Sequence, residues 1–189
     1  MRTVIVYESM YGNTHSVASE IAGVAGTFGE VVLVPVSRAV PGTVDGADLV
    51  IVGGPTHIHG LSRTMTRQGA VSDAAKRTDL DLDSDAEGPG LRDWFERLGE
   101  VDHIPAAAFD TRLHGPSALT GRASAGISRR LRHHGFHEVV GPESFFVDKD
   151  NHLIEGQVDR ARAWSWSLFD QLGLRPINPS PEYGKSDLT

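Results

Sequence analysis

Cysteine is absent from all 189 residues. Disulfides, Cys-ligated zinc, iron–sulfur clusters and thiol catalysis are therefore excluded, and any redox chemistry needs a bound organic cofactor. No apolar run approaches the ~20 residues of a membrane span. An excess of positive charge is also missing: 18 Lys and Arg against 25 Asp and Glu leave a formal net charge of −7. That balance argues against nucleic acid or an anionic membrane as partner, and suits a basic protein or a small molecule. Met1-Arg2-Thr3 leads straight into an apolar run, so no signal peptide is expected and the expected location is the cytoplasm. No internal repeat is visible.

What is present is concentrated first between Thr3 and Ala22. Val4-Ile5-Val6-Tyr7 is a continuous β-branched and aromatic run, the pattern of a strand buried on both faces. Gly12 then supplies a sharp turn, Asn13 or Thr14 is positioned to cap a helix, and Val17, Ala18, Ile21 and Ala22 repeat at helical spacing. A strand, a hydroxyl-bearing loop and a helix start together make an anion site, with Ser9 and Thr14 adding donors to the free amides. No Lys or Arg stands between Ser9 and Thr14, so a phosphate would be held by neutral donors. Neither a Walker loop nor a dinucleotide fingerprint is present at this turn, and a phosphate monoester fits best.

The six residues Ser9-Met10-Tyr11-Gly12-Asn13-Thr14 resemble the phosphate loop of the flavodoxin family, Ser/Thr-x-Thr-Gly-x-Thr, and the Met-Tyr-Gly wording is closer to flavodoxin-like quinone reductases. Tyr11 stands where the family usually has a hydroxyl residue. The resemblance implies FMN as cofactor, its phosphate within this loop.

Further along, Glu30–Val36 reads as a second strand that Pro35 keeps at an edge, and Leu49–Gly54 as a third, fully buried one. The third strand runs into Gly53-Gly54-Pro55-Thr56-His57-Ile58-His59-Gly60, which matches the Gly-x-Pro-Thr opening of the flavodoxin loop that lies against the flavin ring. By that resemblance Pro55, Thr56, His57, Ile58, His59 and Gly60 face the ring, and Gly60 lets the 59–60 peptide turn its carbonyl toward flavin N5. His15, His57 and His59 lack the carboxylate or thiol companions of a metal site, and no metal is expected. The ring-facing loops contain no Trp or Tyr, which leaves Trp94 or an aromatic from a second subunit as candidates to stack on the ring.

Residues 61–100 form an insertion longer than a βαβ crossover needs. Leu61 to Lys76 is weakly helical and polar, and Asp79–Glu87 is an acidic run that reads as a solvated, mobile loop, with a lid over the site as the other reading. As an EF-hand it fails, because Ala86 stands at the turn glycine and Arg92 at the closing glutamate. Leu91, Trp94, Phe95 and Leu98 repeat as an amphipathic helix, and Ile104–Phe109 is the fourth strand. Its exit loop begins Asp110-Thr111-Arg112, third in the implied flavin site: Thr111 toward the pyrimidine edge, Arg112 toward N1 and O2 or else paired with a carboxylate. Arg122, Arg129, Arg130, Arg132, His133 and His134 make the next helix basic, either a solvated face or a surface for an acidic partner or NAD(P)H phosphates. His137–Val147 reads as the fifth strand, with Gly141-Pro142 as an interruption, and Glu155–Leu172 as the closing helix with Trp164 in the core.

Alternation of this kind predicts an α/β fold, a three-layer doubly wound parallel sheet of five strands in the flavodoxin-like order 2-1-3-4-5. Residues 1–174 are expected to form that domain and 175–189 a C-terminal tail. The preferred function is an FMN-binding electron-transfer protein serving a redox partner protein. Two alternatives stay open: a flavoenzyme resembling NAD(P)H:quinone reductases or flavodoxin-like protoporphyrinogen oxidases, with a small quinone as substrate, and a flavin-free binding module on the same scaffold. Homo-oligomerisation is left undecided.

Overall fold

Side chains that point alternately to the two faces of each strand set the layers of the computed structural model, which describes residues 1–40, 42–56, 60–61, 82–83, 86 and 88–177. Strands β1 (Arg2–Tyr7), β2 (Glu30–Pro35), β3 (Leu49–Pro55), β4 (Pro105–Leu113), β5 (His137–Glu138) and β6 (Glu143–Val147) form one sheet. Its order is β2-β1-β3-β4-β5, with β6 also on β4, and every pairing is parallel. The expected fifth strand is thus the pair β5 and β6 on one edge of β4, broken around Gly141-Pro142 where an amide is missing. Strand β2, ending in Pro35, is the opposite edge.

Val4, Val6, Val50, Val52, Ala106 and Ala108 face helices α2 (Leu91–Arg97) and α4 (Ala123–His133), the latter preceded by the one-turn helix α3 (Ser117–Thr120). Ile5, Tyr7, Leu49, Ile51, Ala107 and Phe109 face α1 (Asn13–Ala25) and α5 (Gln157–Gln171) on the other side. A 13-residue helix such as α1 is marginal alone, so the burial of Val17, Ala18, Ile21 and Val24 stabilises it. Small residues at 106–108 let helices approach both faces of β4. Trp94 is a core residue, 3% exposed and edge-on to Phe95 at 4.9 Å, which corrects its expected place beside a planar ligand. Trp164 packs between Phe109 and Phe145 as expected of a core ring.

Candidate functional site

Parallel strands bring the loops after β1, β3 and β4 to one edge. After Tyr7 the Glu8 amide donates to the Gly53 carbonyl at 2.9 Å, and the chain turns through Gly12, which caps α1 at φ 82°. A side chain in that left-handed conformation would cost about 1–2 kcal/mol. The Gly12 amide donates to Ser9 Oγ at 3.1 Å, leaving the serine hydrogen to donate elsewhere. Among the described residues no atom lies within 4 Å of where a Gly12 Cβ would stand. Asn13 and Thr14 do not cap the helix, contrary to expectation. Asn13 Nδ2 instead donates to the Asn151 carbonyl at 2.7 Å, and Thr14 Oγ1 hydrogen-bonds Thr111 Oγ1 at 2.7 Å. The first intrahelical bond is Ser16 N–H to the Gly12 carbonyl, and no side chain caps the amides of the preceding turn.

Helices α2 and α4 contrast with α1. The Leu91 amide donates to Glu8 Oε2 at 2.8 Å, and the Gly90 amide to Asp93 Oδ2 at 2.8 Å. At α4 the Ala123 amide donates to Thr56 Oγ1 and the Ser124 amide to Asp110 Oδ2, both at 2.8 Å, while the Thr56 hydroxyl donates to the same Asp110 oxygen at 2.9 Å. Carboxylates of the chain itself therefore close these two helix ends. Helix α5 also lacks a side-chain cap but carries Asp159 in its first turn; the first turn of α1 has no acidic residue. Burial pushes the Asp110 carboxyl above its ordinary value, against the Ser124 amide, which favours the charged form.

Asp110, Thr111 and Arg112 lie within β4 rather than in its exit loop. They pair with Ser144, Phe145 and Phe146 of β6, and this pairing carries the strand on to Leu113. Consecutive residues point to opposite faces, so Thr111 parts from Asp110 and Arg112, which share the α4 side. Thr111 meets Thr14 on the α1 side. On the α4 side the Arg112 guanidinium donates from Nη1 to the Gly115 carbonyl at 2.8 Å and to Thr120 Oγ1 at 2.6 Å, and lies 4.8 Å from the Phe146 ring. Its Nε is buried without a hydrogen-bond partner, and no carboxylate pairs with it among the described residues. Pro55 ends β3 and the Thr56 amide donates to the Thr111 carbonyl at 2.8 Å. Gly60 has no left-handed φ, and a Cβ there would meet none of the described residues within 4 Å. His57, Ile58 and His59 lie outside the described residues.

The sequence left the acidic run open between solvent and a lid over the site. The run touches the loop: the Asp83 amide donates to the Met10 carbonyl at 2.8 Å, and Ala86 is buried with Met10 against Tyr11 and Leu82. Apolar Leu82 and Ala86 within the run were the available signal. The basic helix is partly answered internally, with Arg132 paired to Glu138 and Arg122 donating to the Pro142 carbonyl. Among the described residues no group of three His, Asp or Glu gathers as metal ligands, and no helix is long and apolar enough to cross a membrane.

No protein-family model matches this chain, and no curated protein sequence does. Solved structures do match. Flavodoxin 1 from Bacillus cereus superposes with a TM-score of 0.62 at 20% identity, covering 90% of this chain and 98% of that one. The flavodoxin, WrbA-like protein from Agrobacterium tumefaciens gives 0.58 at 17% identity, over 92% and 99% of the two chains. Rubredoxin oxygen:oxidoreductase from Desulfovibrio gigas gives 0.53 at 16% identity, over 90% of this chain and 37% of that one. The fold is flavodoxin-like.

Proposed function

We propose that this chain binds FMN and transfers electrons between it and a redox partner. The phosphate goes to the amino end of α1, and the ring to the loops that leave β3 and β4. The observation that supports this most is the contrast between helix ends: α2 and α4 are closed by Glu8 and Asp110, whereas α1 has no side-chain cap and no acidic residue in its first turn. An uncapped amino end flanked by the hydroxyls of Ser9 and Thr14 suits a dianionic monoester, and none of the described residues crowds Gly12.

Ser9, Met10, Tyr11, Gly12, Asn13 and Thr14 would surround the phosphate. Thr56 and Asp110 would shape the ring-side wall by holding α4 in place, Pro55 and Gly60 would bound it, and Arg112 would supply positive charge near it. Bound FMN supplies the reversible redox chemistry; the protein binds, orients and sets the electrostatics.

Titration of the purified protein with FMN and with riboflavin, followed by absorbance and flavin fluorescence, tests this reading. FMN is expected to bind with clear preference over riboflavin. A protein that takes up neither overturns the reading and points to a flavin-free module. Turnover of NADPH with a quinone by the FMN-loaded protein would replace the electron-carrier reading with an enzymatic one.

A further inference from the structure

Thr14 and Thr111 are both buried, 1% and 5% exposed, and their hydroxyl oxygens lie 2.7 Å apart. Two hydroxyls carry two hydrogens, and only one can lie between the oxygens. Neither oxygen has a further hydrogen-bond partner among the described residues, so one hydroxyl hydrogen has no acceptor among them. Thr14 is the second residue of α1, and side chains on a helix lean toward its amino end. Thr111 is fixed from both sides, its strand paired with Pro55 of β3 and with Phe145 of β6, and β-branching restricts its rotamer.

We propose that Thr111 is a positioning residue of the anion site. It donates its hydrogen to Thr14 Oγ1, which leaves the Thr14 hydrogen directed at an anion bound to the amino end of α1. This rests on the reading of Ser9–Thr14 as a phosphate loop and gives Thr111 a role distinct from contact with a flavin ring. Without Thr111, no partner fixes the rotation of the Thr14 hydroxyl, and the anion loses an aimed donor.

The test compares FMN and riboflavin affinities for the wild type, Thr111→Val and Thr111→Ser. Thr111→Val is expected to lower FMN affinity about tenfold, as loss of one hydrogen bond to a charged group does, with riboflavin affinity unchanged. Thr111→Ser, which restores the hydroxyl, is expected to return the wild-type ratio. If the valine variant does not fold, Thr14→Val and Thr111→Ala are compared instead, and each is expected to show the same phosphate-specific loss. An unchanged FMN-to-riboflavin ratio in variants that fold, from a wild type that prefers FMN, overturns the positioning role. A wild type that takes up no FMN overturns the phosphate-loop reading, and this inference with it.

Discussion

Asp83 Oδ2 lies 3.4 Å from His15 Nδ1, and the same imidazole stacks on Tyr7 with ring centroids 4.8 Å apart. A carboxylate from the acidic segment therefore stands beside the first turn of α1, with its side chain only 5% exposed. At a separation of several ångströms in high dielectric, its repulsion of a phosphate dianion is of order 1 kcal/mol. Asp83→Asn is expected to tighten FMN binding about fivefold and to leave riboflavin binding unchanged, the difference shrinking in high salt. Equal FMN affinities for the two proteins would show that this charge does not reach the loop.

Gly53 is required by a close approach rather than by a turn. A Cβ at that position would stand 2.0 Å from Phe109 Cζ, and Phe109 is fully buried, edge-on to Phe145. Gly53→Ala must displace that ring, an overpacking cost of about 1–3 kcal/mol or more. For a chain of this size each kcal/mol lowers Tm by about 2–4 °C. The melting temperature of Gly53→Ala is expected to fall by several degrees, while Gly60→Ala, whose added carbon meets none of the described residues, is expected to melt like the wild type. Equal melting of both variants would show that Phe109 has room to move.

How far the fold could be read follows from where the partners of each residue lie. Val4–Tyr7 and Leu49–Val52 were legible because a strand buried on both faces is apolar without interruption, and their flanking glycines and polar residues mark its ends. Asp110-Thr111-Arg112 was read as a loop because it is polar, yet each residue finds a polar partner or a ring from a distant segment: Ser124 and Thr56, Thr14, and Thr120 with Phe146. The cap of α1 was misread for a related reason. Gly12 takes the cap position, while Asn13 and Thr14 turn to Asn151 and Thr111. Leu82 and Ala86 signal that the acidic run packs on something, but no local pattern names Met10 as the place.

Burial raises the Asp110 carboxyl above its ordinary 3.8, outweighing the Ser124 amide. The folded protein thus keeps a proton that the unfolded chain has already released. The stability contributed by the neutral carboxyl is complete below the unfolded value and is lost as pH rises through the raised folded one. Asp110→Asn keeps an oxygen for the Ser124 amide and the Thr56 hydroxyl and cannot ionise. Urea unfolding at steps between about pH 4 and 7 is expected to show the variant gaining stability relative to the wild type as pH rises. Curves that stay parallel across this range would mean that Asp110 titrates alike in the folded and unfolded states.

Arg112 separates a structural role from an electrostatic one. Its guanidinium holds the Gly115 carbonyl and the Thr120 hydroxyl while lying against Phe146, so it fastens the turn that leads into α3. A lysine keeps the charge but loses the planar stack and the fork of donors, so Arg112→Lys is expected to lower stability by about 1–2 kcal/mol. Arg112→Gln loses both geometry and charge. In the FMN-loaded protein, adding an electron to the cofactor adds negative charge, which a nearby cation favours. The flavin reduction potential should then fall by roughly 30–60 mV in the glutamine variant, given that 59 mV is a tenfold change for one electron. In the lysine variant the potential should stay near that of the wild type. Spectroelectrochemical titration of both FMN-loaded variants, beside their thermal unfolding, tells the roles apart: equal potentials with equal loss of stability would reduce Arg112 to a fastening of the turn.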